Sequence, residues 1–158
     1  MIKKALLLLG CPELPVQTGT ALYLANRLKE AGMEVFVAGT DAALLLIKVS
    51  DPHGYYVDAK RMVKLDSCIA ALAEKKLEFD LCAVFVHNDA GISYLATVQS
   101  ISDAKLFALI FGKDAKTLAE QIDFECEKLV AKAVHNPIPL TKRIDATIKE
   151  VQLWAASN

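Results

Sequence analysis

The chain has 158 residues, of which 54% are hydrophobic and 23% are charged, and its formal net charge is −1 at pH 7. We expect a single domain over residues 1–158, because a chain of this length can bury most of its apolar surface in one core. The 18 basic and 19 acidic residues are interspersed, which argues against nucleic acid as a partner. No uninterrupted apolar stretch comes close in length to the roughly 18 to 20 residues that are needed to span a membrane.

A β-α-β unit is predicted at the start of the chain. Lys4–Gly10 carries an unbroken apolar run that ends at a glycine, which is typical of a strand buried on both faces. Apolar residues then follow at helical spacing over Thr20–Ala31, and Gly32 ends that helix. Glu34–Gly39 is the next apolar run. The order indicates two parallel strands joined by a helix.

Helices and strands continue to alternate through the middle of the chain. Thr40 or Asp41 can cap a short helix over Ala42–Val49, and Asp66 can cap the following one. Between them, His53–Tyr56 is a polar and aromatic loop that either closes over a ligand or covers an edge of the core. The pattern further predicts strands over Leu81–Val86 and Lys105–Gly112 and helices over Ile92–Ile101 and Asp114–Ile122.

The last third of the chain contains one ambiguous stretch. Over residues 125–134, apolar residues such as Leu129 and Ala133 fit a helix face, whereas the alternation along the chain requires a fifth strand, which we favour slightly. The apolar residues of Leu140–Val151 lie on one side of a predicted amphipathic final helix. Trp154 is expected to fix the end of that helix.

This alternation predicts an α/β protein, a three-layer α/β/α sandwich with a mostly parallel, Rossmann-like sheet of about five strands. In such sheets, ligands bind outside the carboxyl ends of the strands, where the strand order reverses. The first strand is the most apolar, so we place it at the centre. The long connection from Gly39 to Leu81 can then pass to its other side. If it does, Gly10–Cys11 and His87–Asp89 flank one crevice.

The loop after the first strand, G-C-P-E-L-P-V-Q-T-G-T, supplies the first candidate site residues. It matches neither the dinucleotide-binding nor the P-loop glycine pattern. We predict that Gly10, Gln17, Thr18 and Gly19 bind a ligand or cofactor. Thr18, Gly19 and Thr20 place free N–H groups at a helix start, which favours an anionic group. An ordinary rigid loop is the alternative. Cys11 lies near that helix start, where a thiol can become a reactive thiolate, so it is a candidate catalytic residue.

The run V-H-N-D-A-G after the third predicted strand supplies the second set of candidates. His87 is predicted to act as a general acid or base, because imidazole titrates near neutrality. Asp89 can orient it as a second catalytic residue, and Asn88 and Gly91 are candidate ligand contacts. In the structural alternative, Asp89 caps the following helix and Asn88 binds the backbone of the turn.

A related run, V-H-N-P, follows the ambiguous stretch. If that stretch is a strand, His135 joins the same rim as His87; if it is a helix, Asn136 ends it in the left-handed conformation. Cys11, His87, Asp89 and His135 are all permissible metal ligands. No two of them have the local spacing of a zinc site, so we predict no metal.

The four cysteines show no C-x-x-C spacing. We expect reduced thiols in a cytoplasmic protein, because the N-terminal apolar run Ala5–Leu9 is shorter than an export signal requires. Cys68 and Cys82 fall within apolar patterns and are expected to be small buried side chains.

Four segments together resemble a small protein family of methanogenic archaea: L-L-G-C-P-E-L-P-V-Q, D-P-H-G-Y-Y-V-D, F-V-H-N-D-A-G-I-S-Y and A-V-H-N-P-I-P-L. The likeness runs over nearly the whole chain. The family is known as a domain of unknown function. The resemblance therefore implies a Rossmann-like α/β sandwich in the cytoplasm of an anaerobe, and it brings no catalytic residue or cofactor with it.

Our first functional hypothesis is a cytosolic protein that binds a small molecule or cofactor, with catalysis as one use of its site. The helix start holds an anionic group, His87 transfers protons, and Cys11 is a nucleophile or sulfur carrier. The alternative is a non-catalytic partner protein that forms homodimers or complexes through its final helix and Trp154. A corrinoid carrier is less favoured, because the D-x-H-x-x-G pattern is absent.

Overall fold

Residues 1–157 are described by a computed structural model, in which six parallel strands alternate with helices. The strands are β1 (Lys4–Leu9), β2 (Glu34–Gly39), β3 (Met62–Lys64), β4 (Leu81–Val86), β5 (Lys105–Phe111) and β6 (Glu127–Ala131). The helices are α1 (Val16–Glu30), α2 (Asp41–Ser50), α3 (Leu65–Ala73), α4 (Asp89–Ile101), α5 (Ala115–Glu120) and α6 (Ile138–Ala156), and a short 3₁₀ turn over Ala59–Arg61 precedes β3.

The strand order is β3-β2-β1-β4-β5-β6, and all neighbouring strands are parallel. β1 lies between β2 and β4, with Leu7 opposite Val37 on one side and Ala83 on the other. The chain builds outward from β1 to β3, crosses back over the sheet, and then builds outward from β4 to β6. The strand order therefore reverses between β1 and β4, which confirms the predicted central position of the first strand.

Helices cover both faces of the sheet. Successive side chains of β1 point to opposite faces, so Leu7 and Leu9 pack with α1, α2 and α6, whereas Leu6 and Leu8 pack with α3, α4 and α5. All four leucines are fully buried. The predicted three-layer α/β/α sandwich with a Rossmann-like sheet is confirmed.

The strand count differs from the prediction by one. β6 lies inside the ambiguous stretch and pairs with β5, with Leu129 opposite Leu109, so the slight preference for a strand there is confirmed. β3 was not predicted. It has three residues, lies at the edge of the sheet, and pairs with β2 through Met62, Val63 and Lys64. Three residues are too few to show the alternation that identifies a strand.

Several helices begin at residues other than those predicted, among them α1, α3 and α4. α1 begins at Val16 instead of Thr20, with Pro15 at its N-cap position; proline suits a helix start because its φ is already helical. α3 begins at Leu65, with Lys64 at the N-cap. The prediction that Asp66 caps this helix is therefore wrong, although its carboxylate still lies in the first turn, where the helix dipole favours it.

The start of α4 is fixed by a cap and by close packing. The Oδ1 atom of Asn88 accepts a hydrogen bond from the N–H of Gly91 at 3.1 Å, so Asn88 is the cap and the prediction that Asp89 caps the helix is wrong. A Cβ atom at Gly91 would lie 2.9 Å from Cα of Val86 and 3.2 Å from the carbonyl oxygen of Phe85. The missing side chain lets the first turn of α4 lie directly on the end of β4.

The loop after α2 is organised by Asp51, which is buried. Its carboxylate accepts hydrogen bonds from the N–H groups of Tyr55, Tyr56 and Val57 at 2.7 to 3.0 Å. Burial alone would raise the pKa of this carboxyl, but the three donors outweigh burial and hold the pKa below 3.8. Because α2 runs back along the sheet between parallel strands, the loop lies at the edge where strands begin. His53–Tyr56 therefore does not cover the edge where they end.

α6 uses its apolar side within the chain. The ring of Trp154 packs against the core and lies 4.9 Å from Nζ of Lys3. The buried residues of the helix are Leu140, Ile144, Ile148 and Val151. The apolar side that was predicted to bind a partner thus packs mainly within the chain, with Trp154 partly buried. No helix in residues 1–157, α6 included, is long and apolar enough to cross a membrane.

We predict opposite effects on stability for alanine at two glycines. Gly91→Ala should lower the free energy of unfolding by about 1–3 kcal/mol, because its methyl group meets the backbone of β4. Gly19→Ala should raise it by about 0.5–1 kcal/mol, because Gly19 is an exposed helical position with no atom within 4 Å of the added Cβ. Urea denaturation measures both, and equal effects of the two substitutions would contradict the packing of α4.

Candidate functional site

The edge of the sheet where the strands end, called here the carboxyl edge, is covered by the loop Cys11–Pro15. Leu14 of this loop lies over Gly112: a Cβ atom added to Gly112 would be 3.1 Å from Cδ1 of Leu14. The N–H of Val16 donates to the carbonyl oxygen of Val134 at 3.2 Å. The loop therefore runs from the end of β1 across the ends of β5 and β6, and closes one side of the switch point.

His87 lies beneath this loop, directly after β4. Its side chain is 5% exposed, and its ring lies 5.2 Å from the ring of Phe111, at 32° between the planes. Nε2 of His87 is 3.7 Å from a carboxylate oxygen of Glu13. Within the described chain, Nε2 has no hydrogen-bond partner. Sequence reasoning placed His87 at this edge, but the carboxylate that faces it is Glu13 and not Asp89.

The electrostatics of the His87–Glu13 pair suit proton transfer. Burial lowers the pKa of His87 below 6.5, and the Glu13 carboxylate opposes part of this shift. This shift favours the neutral imidazole, which can accept or donate a hydrogen bond through Nε2 according to its tautomer. The Glu13 side chain is 58% exposed. The pair thus joins a buried base to a carboxylate in contact with water.

Gln17 lies on the α1 side of the same edge and is 1% exposed. Its Nε2 donates to the carbonyl oxygen of Gly10 at 3.0 Å, and its Oε1 has no partner among residues 1–157. Burying an acceptor without a hydrogen bond costs about 1–3 kcal/mol. Gln17 therefore places an unused acceptor beside the end of β1.

The start of α1 differs from the anion site that the sequence predicted. The N–H groups of Val16 and Gln17 donate to the backbone oxygens of Val134 and Leu14. Thr18 and Gly19 are the third and fourth residues of the helix, and Gly19 is exposed. The helix thus begins ahead of Thr18, Gly19 and Thr20, whose N–H groups were expected to lie free at its start.

Cys11 is exposed at the beginning of the covering loop, two residues before Glu13. The other thiols are less accessible. Burial raises the pKa of Cys68 to about 11 and that of Cys82 to about 12. Burial also raises the pKa of the half-buried Cys126. Cys11 is thus the thiol most open to a ligand or reagent.

Asp89 and His135 lie at the same edge of the sheet, at the start of α4 and after β6. Asp89 is the exposed first residue of α4. His135 is exposed and follows β6, which is two strands, or about 10 Å, from β4. Among residues 1–157, no three His, Cys, Asp or Glu side chains are grouped so that they could hold a metal ion.

A groove of about 470 Å³ opens on the other face of the carboxyl edge. It is bordered by the ends of β2 and β3, the first residues of α2 and α3, and the ring of Tyr94. Cε2 of Tyr94 would be 3.8 Å from a Cβ atom on Gly10. Gly10 therefore lies between Gln17 on one face of the sheet and the groove on the other.

Sequence reasoning missed three residues of this site. Glu13 faces His87, Phe111 lies against its ring, and Tyr94 borders the groove. The signal for Glu13 was present, because a carboxylate follows Cys11 in a loop that was already a candidate. Phe111 ends a strand of the sheet, and its position next to β4 could not be read from the local pattern.

Comparison with known proteins places the chain in a family. Residues 6–147 match a family model described as "Domain of unknown function (DUF1890)". The chain belongs to the DUF1890 family. It is 33% identical over 141 residues to the uncharacterized protein MJ0452 of Methanocaldococcus jannaschii. The alignment covers 88% of this chain and 93% of that protein.

A solved structure extends the comparison to the fold of this DUF1890 chain. The structure of MT0777 is 43% identical in sequence, covers 93% of this chain and 97% of its own, and superposes with a TM-score of 0.85. The predicted resemblance to an uncharacterised family with archaeal members is confirmed. The family description names no activity, so the function has to be argued from the site.

We predict that Glu13→Gln lowers the pKa of His87 further, because the substitution removes the charge that opposes the effect of burial. An NMR titration of the His87 ring, assigned with His87→Asn, measures the shift. The wild-type pKa should lie below 6.5, and Glu120→Gln, an exposed carboxylate at the far end of α5, is the matched control. A wild-type pKa at or above 6.5, or no change in Glu13→Gln, would contradict the pair.

Alkylation should distinguish the four thiols. In the folded protein, iodoacetamide should modify Cys11 first, because it is exposed while burial raises the pKa values of Cys68, Cys82 and Cys126. Peptide mass spectrometry over time measures the order, and Cys11→Ser should remove the fast phase. Modification of Cys82 before Cys11 would show that the sheet opens in solution.

Proposed function

We propose that this DUF1890 chain binds a small polar molecule at the carboxyl edge, between the ends of β1 and β4, and exchanges a proton with it through His87. The observation that carries the proposal is the buried, unpartnered Nε2 of His87 facing the Glu13 carboxylate. Both residues lie at the switch point of a Rossmann-like sheet, where such sheets bind ligands.

The cost of burying His87 supports a functional role over a structural one. An imidazole nitrogen without a hydrogen bond in a buried place costs about 1–3 kcal/mol. The ring lies against Phe111, a contact that an apolar side chain would make without that cost. If the Glu13 side chain turns toward water, a ligand can form a hydrogen bond with Nε2 and so remove this cost.

The chemistry around the site indicates the kind of ligand. Gln17 offers a buried acceptor, and a neutral His87 offers a nitrogen that accepts or donates. A polar molecule that carries an N–H or O–H group matches both. With two N–H groups of the α1 start engaged, this pairing replaces the anionic group as the main feature of recognition. The groove beside Tyr94 supplies space for the rest of the molecule.

The exposed Cys11 supports a second contact from the same loop. A ligand bound over Gly10 would lie beside this thiol, so binding should shield it from alkylation. We also place the protein in the cytoplasm, where reducing conditions suit four free cysteines.

Native mass spectrometry tests the proposal. We expect wild-type protein, mixed anaerobically with the small-molecule fraction of a cell extract, to retain an adduct that is lost on denaturation. His87→Asn should lose most of that adduct, because it removes the ring that contacts the ligand. His135→Asn is the matched control, since His135 is exposed at the same edge but two strands away.

Two results would contradict the proposal. One is the absence of any adduct on the wild-type protein, and the other is an adduct of equal intensity in His87→Asn. Near-UV circular dichroism of each variant shows whether the core is intact, so that a loss of folding is not read as a loss of binding.

A further inference from the structure

The outward side of α2 is apolar and exposed. One side of this helix packs into the core. On the other side, Leu45, Leu46 and Val49 are 60%, 42% and 75% exposed, and Ala42 is exposed beside them. We call these four residues the outer face of α2. Contiguous exposed apolar side chains of this kind mark interaction surfaces, whereas single ones are ordinary.

Other exposed apolar residues do not form such a surface. Met1 and Ile2 are exposed ahead of β1 and lie outside any helix or strand. Ile138 and Leu153 are exposed on α6, but they lie near opposite ends of that helix. Tyr55 is exposed in the loop after α2, where it stacks edge to face on Tyr56. The outer face of α2 is therefore the strongest candidate for an interface.

We propose that the outer face of α2 binds the same face of a second copy of the chain, with the two helices antiparallel about a two-fold axis. An axis midway between Leu45 and Leu46 places Leu45 opposite Leu46 of the second copy. The same axis places Ala42 opposite Val49. Each residue of the face thus meets a residue of the same face, which is the self-complementarity that a two-fold interface requires.

The charges beside the outer face favour this orientation. Asp41 and Lys48 are seven residues apart, so they lie on the same side of α2. Asp41 is exposed, with its partner Lys64 at 3.6 Å also exposed. In the antiparallel pair, Asp41 of one copy approaches Lys48 of the other at both ends of the contact. A parallel pair would place Asp41 and Lys48 of the two copies on opposite sides of the contact, without this pairing, and it would also align the two helix dipoles unfavourably.

The size of the contact sets its strength. α2 has ten residues, so the two helices touch over about 15 Å. A contact of this length buries less surface than a standard stable interface, which buries about 1,200–2,000 Å². We therefore expect a monomer–dimer equilibrium that depends on concentration, rather than a permanent dimer.

Analytical ultracentrifugation of the full chain tests this pairing. The wild-type protein should move from monomer to dimer as its concentration rises from the micromolar to the millimolar range. Val49→Glu should stay monomeric, because it places a carboxylate in the apolar contact. Leu153→Glu is the matched control: Leu153 is 77% exposed on α6, and this variant should dimerise like wild type. So should His87→Asn, because the pairing does not depend on the proposed ligand.

A charge swap tests the orientation. Lys48→Asp should weaken dimerisation roughly three- to tenfold at low ionic strength, because both ends of the contact then carry like charges. The double variant Asp41→Lys/Lys48→Asp should restore it. A wild-type protein that is monomeric at every concentration would overturn the proposal and leave the outer face to a different partner. A Val49→Glu variant that still dimerises would also overturn it.

Discussion

The burial of β1 between two helical layers is the constraint on which the rest of the structure depends. Its leucines leave no polar face, so helices must cover both sides of the sheet. The chain then builds outward from β1 in one direction and from β4 in the other. α1 and α4 lie on opposite faces of the sheet, so the ends of β1 and β4 meet between them. Polar groups can gather there without disrupting the core.

The loop Cys11–Pro15 divides the site at the ends of β1 and β4 into a buried part and a part in contact with water. Pro12 and Pro15 stiffen a segment that crosses the ends of several strands. Beneath it, the His87 side chain is buried, which lowers its pKa, while Glu13 on the loop itself stays in contact with water. A local movement of the loop would change the surroundings of His87 without disturbing the sheet.

Local patterns in the sequence were sufficient for the fold class, because β1 and the amphipathic helices each carry their own signal. They also placed His87 at the correct edge. The pairing of β3 with β2 is a tertiary contact over three residues, and no local pattern encodes it. Asn88 and Asp89 are equally good caps by composition, and the close packing of Gly91 on β4 decides between them. Glu13 meets His87 because a loop crosses the sheet, which periodicity does not describe.

Asp51 and His87 lie at opposite edges of the sheet, so the two edges respond to acid at different pH. In the folded chain, the pKa values of Asp51 and His87 both lie below their ordinary values. The unfolded chain therefore binds each proton at a higher pH than the folded chain, so acidification destabilises the fold through both groups. His87 contributes as the pH falls below 6.5, and Asp51 contributes only as it falls below 3.8. Mild acid thus acts on the carboxyl edge while the opposite edge remains anchored.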